Sequence, residues 1–175
     1  MFFISLLYMA VPVPYTDGAT IKRIGELREA VWRPFHCRKD CWTDEYDTLP
    51  TCHHWVILDH AQIVASARMT IHTCADHNII KLFGHDLRFP VAVMGRLVVA
   101  EPFRGRGYAQ QLNRVIIQAA KDLGCTSIVV QATQINVNIL LKLGFKHHMQ
   151  HDSPVTVIID DDYPITVFYA MQYTC

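Results

Sequence analysis

A glycine-rich loop between an apolar run and a long amphipathic segment constrains this chain more than any other feature of its sequence. The run Leu97-Val98-Val99 is typical of a buried strand, and Pro102 breaks the pattern after it. The loop Arg104-Gly105-Arg106-Gly107 comes next. Apolar residues then recur at the spacing of a helix that packs on a sheet, at Leu112, Val115, Ile116, Ala119, Ala120 and Leu123. The sequence therefore predicts a strand, a loop and a helix over 107–123.

Such a loop has the properties of a phosphate-binding site. Unpaired backbone N–H groups and the positive end of the helix dipole meet at a helix N-terminus. Glycines also let an anion approach the backbone closely. The spacing lacks the third glycine of the dinucleotide fingerprint, and the Gly-Lys-Ser/Thr ending of a nucleoside triphosphate loop is missing. The loop is therefore predicted to bind the phosphate of a different ligand.

The motif Arg104-x-x-Gly107-x-Ala109 resembles the Gln/Arg-x-x-Gly-x-Gly/Ala signature of the GNAT N-acetyltransferases. The segment from Leu140 to Phe145 is similar to the downstream Tyr-x-Lys-x-Gly-Phe of that family. The resemblance implies that the loop amides hold the pyrophosphate of acetyl-CoA and that the preceding strand lies along the pantetheine arm. It assigns donor binding to Leu97, Val98, Val99, Arg104, Gly105, Arg106, Gly107, Tyr108, Ala109, Asn136 and Asn138.

The resemblance implies an α/β fold, with a mixed, mainly antiparallel sheet of about seven strands and a β-α-β crossover that binds CoA. Residue patterns predict strands over 4–14, 54–58, 63–71, 91–100, 127–132, 145–150 and 165–171. They predict helices over 20–32, 107–123 and 135–143, a short helix within 35–51 and an irregular connection over 74–90. The strand at 127–132 is expected to run parallel to the strand at 91–100. Residues 1–175 are expected to form one domain.

The composition of the chain limits its expected partners and cellular location. Lys and Arg together number 16, as do Asp and Glu, so net charge does not favour a nucleic-acid partner. The six cysteines lack the spacing of a disulfide framework, which favours a cytoplasmic location. The apolar run before Pro12 is too short to cross a bilayer, so we expect no membrane partner. It is predicted to be an edge strand or a tail, with Met1 or Met9 as the native start.

A group of Cys and His residues offers a non-catalytic alternative, a zinc site. The candidate ligands are His36, Cys37, Cys41, Cys52, His53 and His54. Structural zinc sites prefer Cys-x-x-Cys pairs, which this group lacks. The adjacent residues Cys52 and His53 would also point to opposite faces of a strand. We therefore predict no metal.

The residues that move protons are harder to assign. Many GNAT enzymes have a tyrosine general acid at the position of Leu140, so that role does not transfer to this chain. Water or another tyrosine would then protonate the leaving thiolate, and the candidates are Tyr163, Tyr169 and Tyr173. Candidates for the general base are His147, His148, His151 and Glu101. At most one of the two adjacent histidines faces the site on an alternating strand. Glu101 is alternatively predicted to neutralise Arg104 or Arg106.

The first half of the chain carries a second pattern. Five charged residues resemble, in order, the charged positions of the acyl-homoserine-lactone synthases: Arg28, Asp44, Asp47, Arg68 and Arg96. Those enzymes share the GNAT core and draw longer acyl chains from acyl carrier protein. The chain departs from them at Val93, where a glutamate is expected, and in having the Arg-Gly-Arg-Gly loop. Alternatively, the same charges form a buried ion-pair network between the first helix, its following loop and the sheet.

These patterns together predict an N-acetyltransferase that moves an acetyl group from acetyl-CoA to a primary amine of a small-molecule or amino-acid-like acceptor. The alternative is an acyltransferase, similar to autoinducer synthases, that takes longer acyl chains from acyl carrier protein or acyl-CoA. In the GNAT family the segment corresponding to 35–51 overhangs the acceptor site. The resemblance is also compatible with a homodimer.

Overall fold

The computed structural model describes residues 9–35, 42–83, 87–148 and 168–175. Within these ranges the strands are β1 (Val11–Val13), β2 (Cys52–Asp59), β3 (Gln62–His72), β4 (Val91–Val99), β5 (Ser127–Thr133), β6 (Lys146–His147) and β7 (Phe168–Thr174). The helices are α1 (Gly18–Trp32), α2 (Asn78–Lys81), α3 (Tyr108–Asp122) and α4 (Gln134–Lys142).

One seven-stranded sheet organises the fold, with the strand order β1-β2-β3-β4-β5-β7-β6. The central pair, β4 and β5, is parallel, and the other neighbouring strands are antiparallel. The helix α3 connects the two parallel strands, as a β-α-β crossover requires. The predicted mixed, mainly antiparallel α/β sheet and its parallel pair are confirmed.

Helices cover both faces of the sheet. The adjacent β2 residues Trp55 and Val56 show this, because each belongs to a different hydrophobic cluster. Trp55 packs in the same core as Leu112 and Ile116 of α3. Val56 packs with Ile24 of α1 on the opposite face. The sheet therefore has α3 on one face, its back, and α1 on the other face, its front.

Several predicted boundaries are corrected by the structure. The helix α1 begins at Gly18 rather than at residue 20, because the Asp17 side chain caps it by accepting a bond from the Thr20 N–H. The strand β1 spans three residues, so residues 9 and 10 are not strand, and residues 4–8 lie outside the described ranges. The last strand continues beyond the predicted end at 171 to Thr174, because β7 pairs with β5 along its whole length.

Two connections also differ from the prediction. The short helix expected within 35–51 is a 3-10 helix over Glu45–Thr48, which a capping box formed by Asp44 and Asp47 holds in place. The connection over 74–90 contains α2, whose N-terminus is capped when the His77 side chain accepts a bond from the Ile79 N–H. Histidine is not among the usual capping residues, so the sequence pattern does not reveal this helix. Among the helices that the structure describes, none is long and apolar enough to span a membrane.

Candidate functional site

A gap opens in the middle of the sheet where β4 and β5 separate. Their parallel pairing ends at Met94 and Val130. Beyond that point β4 continues to Val99 in pairing with β3, while β5 continues to Thr133 in pairing with β7. The backbone edges of these two strand ends therefore face a common opening.

A β-bulge in β4 lies at the start of this gap. Gly95 is opposite Arg68 and Val98 is opposite Ser66, so two β4 residues occupy the space of one β3 residue. One of the two, Arg96, has a φ of 54°, in the left-handed region that non-glycine residues rarely adopt. A bulge bends its strand and increases the local twist, which accounts for the separation of β4 from β5.

The backbone of Val99 faces the gap. The Ala100 N–H donates to the Val64 carbonyl of β3, at 2.9 Å. Because successive backbone groups on a strand alternate in direction, the groups of Val98 face β3 and those of Val99 face away from it. The Arg104 Nε atom also donates to the Val99 carbonyl oxygen at 3.4 Å. The two valines are therefore not equivalent, and Val99 has the backbone polar groups that an extended ligand in the gap would meet.

The glycine-rich loop leads from this strand end into α3. Gly105 and Gly107 have φ values of 76° and 82°, which explains why glycine stands at both positions. Gly107 is the N-cap of α3, and no side chain in the described part of the chain caps the helix. The first backbone bond into the helix runs from the Gln111 N–H to the Gly107 carbonyl at 3.0 Å. Within the described ranges, the N–H groups of Gly105, Gly107 and Ala109 have no backbone or side-chain acceptor.

The two arginines of the loop are held by the loop itself. The Arg106 guanidinium donates to the Pro102 carbonyl at 3.2 Å and lies 4.8 Å from the centroid of the Phe103 ring. The prediction that Glu101 neutralises Arg104 or Arg106 is wrong for the described part of the chain, because these arginines bind backbone carbonyl oxygens instead. Unpaired N–H groups and two exposed cations thus surround the start of α3, which suits a diphosphate.

An open groove of about 550 Å³ lies on the α1 side of this loop. Leu27, Ala30 and Val31 of α1 form one wall, and the segment from Ala100 to Pro102 forms the other. Arg104 borders the groove as well. Glu101 therefore faces the space between α1 and the loop rather than the gap between β4 and β5.

The structure separates the candidates for proton transfer. Tyr169 is opposite Ala132, in the part of β5 that has separated from β4, and its ring lies 5.7 Å from the ring of His147. Tyr173 is opposite Ile128, where the two strands are still paired, and its ring packs on Phe145. Of these two tyrosines, Tyr169 is the one beside the gap.

The remaining proton-transfer candidates are less well placed. Leu140 is fully buried in the core behind the sheet, which explains why an apolar residue stands there. His147 is exposed, whereas the ring of His148 packs 4.7 Å from Phe83, so the two histidines have different surroundings. Tyr163 and His151 lie outside the described residues.

The asparagines of α4 are also not equivalent. Thr133 is the N-cap of this helix, so neither asparagine caps it. The Asn136 Oδ1 atom is buried and has no hydrogen-bond partner among the residues that the structure describes. Asn138 is exposed, and a spacing of two residues places the two asparagines on nearly opposite sides of the helix. Only Asn136 combines a place near the end of β5 with an unused acceptor.

The five charged residues of the first half form one ion-pair network on the α1 face. Asp47 binds the Arg28 and Arg68 guanidinium groups, each at 2.9 Å. Asp44 binds Arg68 and, at 2.7 Å, Arg96. Arg28 and Asp47 are completely buried. The predicted buried network between the first helix, its following loop and the sheet is therefore confirmed.

The network keeps both of its carboxylates ionised. Burial opposes ionisation of Asp47, but the Arg28 and Arg68 guanidinium groups outweigh it and lower the pKa of this carboxyl to about 2. Burial likewise opposes ionisation of Asp44, and the bond from Arg68 more than compensates, so the pKa of Asp44 is also lowered. Both carboxylates therefore remain anions at neutral pH, paired with the arginines.

A polar cluster of β3 and α2 residues lies next to this network, and sequence reasoning did not identify it. The His72 ring contacts the Thr70 Oγ1 atom at 2.9 Å and the Asp76 carboxylate at 2.8 Å. The rings of His72 and His77 are 5.0 Å apart. Burial, followed by the charges of His72 and Arg68, lowers the pKa of His77 to about 4. The alternation of polar residues at 68, 70 and 72 in β3 was the available signal.

The shifted pKa of His77 makes stability depend on pH. Between pH values of about 6.5 and about 4, the unfolded chain binds a proton at this ring that the folded protein does not bind. The free energy of unfolding is therefore expected to fall as the pH is lowered through this range, by at most about 1.4 kcal/mol per pH unit for one group. Urea unfolding at a series of pH values measures the slope.

His77→Asn is a matched variant for this measurement, since asparagine also accepts a bond at a helix N-cap. Burial lowers the pKa values of His53 and His54 as well, so a part of the slope should remain in the variant. A slope identical to that of the unaltered protein would contradict the role of His77.

Asp47, Cys52 and His54 form a compact group whose ligand atoms lie within 4.8 Å of one another. Cys52 is thus close to His54, two residues away on the same face, rather than to His53. The His54 Nε2 atom lies 3.0 Å from the Asp47 carbonyl oxygen and 3.3 Å from the Cys52 Sγ atom. Burial raises the pKa of the Cys52 thiol to about 12, and two arginines occupy the Asp47 carboxylate. The arrangement suits a hydrogen-bonded core better than a cation. His36, Cys37 and Cys41 lie outside the described residues.

Comparisons with known proteins agree with this architecture. The family model described as "Acetyltransferase (GNAT) family" matches residues 24–145. Among solved structures, Escherichia coli ElaA is 18% identical with a TM-score of 0.67, covering 93% of this chain and 97% of that chain. Arabidopsis thaliana NAA60 in complex with a bisubstrate analogue is 13% identical with a TM-score of 0.68, covering 95% and 98%.

A third solved structure is the CoA-dependent acyl-homoserine lactone synthase BjaI, with SAM and isopentyl-CoA. It is 12% identical with a TM-score of 0.66, covering 94% of this chain and 82% of that chain. At such identities these likenesses establish the fold. No curated protein matches the sequence.

Proposed function

Since the chain belongs to the GNAT family of acetyltransferases and is an acyltransferase, we propose that it transfers an acetyl group from acetyl-CoA to a primary amine of a small-molecule or amino-acid-like acceptor. The observation that carries the proposal is the pairing of a gap in the sheet with a loop of unbonded N–H groups. The gap begins after Met94, and the loop over 104–109 starts five residues beyond the gap-facing Val99. A CoA thioester has a matching shape, with an extended amide-containing arm joined to a diphosphate.

The loop supplies the binding energy for the diphosphate in this proposal. The N–H groups of Gly105, Gly107 and Ala109 are available, and hydrogen bonds from such groups to a charged ligand are among the stronger ones in proteins. Arg104 and Arg106 add positive charge at the same place. Tyr108 is buried in the core and orients the first turn of α3.

In this proposal the end of β4 aligns the pantetheine arm of the donor. The backbone groups of Val99 face the gap and are placed to bond an amide of the pantetheine arm, while Leu97 and Val98 support the strand through packing and pairing with β3. Asn136, with its unused Oδ1 atom, faces the same arm from α4 in this arrangement. The acyl donor, when bound, supplies an activated carbonyl, and holding it beside an amine lowers the entropic cost of reaction.

Proton transfer is assigned in the proposal to groups beside the gap. Tyr169 stands on β7 next to the separated part of β5 and replaces the tyrosine that Leu140 cannot provide. Its hydroxyl is a suitable acid for a leaving thiolate. We propose a monodomain enzyme over residues 1–175 that works in the cytoplasm without a metal.

A second candidate function is transfer of a longer acyl chain, as in the acyl-homoserine-lactone synthases. The ion-pair network of Arg28, Asp44, Asp47, Arg68 and Arg96 favours it, since these residues match the charged positions of that group of enzymes. The fold likeness to BjaI is compatible with both candidates. The two candidate functions differ in the acyl donor that the enzyme would use.

The donor is tested by thermal unfolding and by thiol release. We expect acetyl-CoA to raise the unfolding temperature strongly, because a ligand that binds only the folded state at about a hundred times its Kd stabilises by about 2.7 kcal/mol. Acetylated acyl carrier protein should have a small effect. Turnover with a panel of amines is then followed by release of free CoA.

The reverse preference, for acyl carrier protein or for medium-chain acyl-CoA, would replace the first candidate by the second. A protein that bound neither donor would contradict both candidates. Because cysteine and histidine can be acetylated without an enzyme, the panel includes acceptors that lack these groups, and reactions without enzyme serve as the control.

A further inference from the structure

We propose that Arg96 binds the carboxylate of the acceptor, so that the acceptor of this enzyme is an amino acid rather than an amine without an anionic group. The inference deepens the proposed function and rests on it. It starts from the position of Arg96 in the β4 bulge, at the start of the gap. A ligand held there is adjacent to the strand edge along which the thioester is proposed to lie.

The backbone directs Arg96 to the α1 face. Its φ of 54° places it in a strained conformation, which persists only where the surrounding structure enforces it. Its guanidinium lies 5.7 Å from the centroid of the Trp32 ring of α1 and binds Asp44 in the loop that follows this helix. The side chain is therefore held by groups on the α1 side of the sheet.

The charges near Arg96 do not balance. In the described part of the chain, three guanidinium groups of the network, on Arg28, Arg68 and Arg96, face two carboxylates, on Asp44 and Asp47. Arg28 is completely buried, and among the described residues its Nε and Nη2 atoms have no hydrogen-bond partner. The described network therefore has fewer acceptors than donors. A carboxylate bound at Arg96 would balance its formal charge.

Arg96 is the member of the network that can receive this anion. Its side chain is 33% exposed, compared with 9% for Arg68 and 0% for Arg28. One of its terminal nitrogens donates to the Asp44 carboxylate at 2.7 Å. A guanidinium has five N–H donors, and its planar fork matches a carboxylate in a two-bond arrangement. The remaining donors can hold a carboxylate at the gap, in partial contact with solvent.

The covalent structure of an α-amino acid fits a carboxylate site beside the thioester. Its amine and carboxylate are separated by a single carbon, so binding the carboxylate at Arg96 fixes the amine within a few bond lengths of it. The surplus positive charge also disfavours protonation of a nearby amine, and acyl transfer requires the amine in its neutral form. The ammonium first loses one proton to solvent. The neutral amine then attacks the thioester carbonyl carbon, so that a C–N bond forms and the C–S bond breaks. The nitrogen gives up a second proton and the leaving thiolate takes up one, which yields an amide and a free thiol.

The experiment compares each proteinogenic amino acid with its carboxamide, using acetyl-CoA and release of free CoA. The unaltered protein is expected to prefer the acid over the amide for the best acceptor. Arg96→Gln should raise the KM for the acid by about tenfold or more, since bonds to a charged group are lost. It should leave the KM for the amide and the Kd for acetyl-CoA nearly unchanged. Arg96→Lys should give an intermediate KM.

Arg114→Gln is the matched control, because Arg114 is exposed on α3 behind the sheet. Equal loss of activity toward acid and amide in Arg96→Gln would assign Arg96 a structural role and overturn the inference. So would a preference for the amide in the unaltered protein, a comparison that decides the question even if both Arg96 variants fail to fold. A protein that does not bind acetyl-CoA in calorimetry would instead contradict the proposed function.

Discussion

Gly107→Pro is expected to weaken acetyl-CoA binding by about a hundredfold or more. Proline cannot adopt the φ of 82° found at Gly107, and it removes an N–H group that has no acceptor in the described structure. Reorienting the first turn of α3 would also withdraw the N–H group of Ala109 from the ligand. Two charge-assisted bonds at about 1.5 kcal/mol or more each account for this loss. Isothermal titration calorimetry with acetyl-CoA measures the Kd.

Gly124→Pro is the control for this change. Gly124 follows the other end of α3 and has a φ of 73°, so proline causes a comparable backbone conflict in the same helix, far from the loop. The two variants should lose similar stability, but only Gly107→Pro should lose the ligand. A folded Gly107→Pro variant with an unchanged Kd would contradict the loop assignment.

Asp47→Ala should lower the free energy of unfolding by about 3–5 kcal/mol. Asp47 is fully buried, accepts bonds from Arg28 and Arg68, and also accepts a bond from the Asp44 N–H in the capping box. Alanine would leave the buried Arg28 charge without a counter-ion, and this uncompensated charge is the main cost. Urea unfolding followed by circular dichroism measures the change.

Glu29→Ala removes one partner of an exposed ion pair with Arg33 and serves as the comparison. Exposed pairs contribute little, so a change below about 1 kcal/mol is expected. Similar effects of the two substitutions would show that the network is not a stability determinant.

The sequence predicted α3 and β5 closely, because their patterns are local. The helix predicted over 107–123 is found as Tyr108–Asp122, and the strand predicted over 127–132 is found as Ser127–Thr133. The regular spacing of apolar residues and the glycine at each end explain this agreement. Of the strand predicted over 145–150, β6 is found at Lys146–His147, Phe145 packs in the core before it begins, and residues 149 and 150 lie outside the described residues.

The site is predicted less completely, because it depends on contacts between distant residues. The positive φ of Arg96 and the separation of β4 from β5 follow from strand register, which an apolar run does not reveal. Asp44 and Arg96 are 52 residues apart and meet only in the folded sheet. The ion-pair network was still foreseeable, since buried charges must pair in any fold. For the contacts of His72 and His77, the sequence offered only the alternation of polar residues at 68, 70 and 72, which does not name their partners.

The short pairing between β4 and β5 has a mechanical consequence. Four residue pairs join the half of the sheet that carries β1, β2 and β3 to the half that carries β7 and β6. Motions that move the two halves apart would act mainly on this short pairing. A ligand that bonded to the free edges of both β4 and β5 would connect the halves as an additional strand does. Affinity for the donor and stiffness of the molecule then become coupled, so substitutions that loosen this pairing weaken binding without touching the ligand.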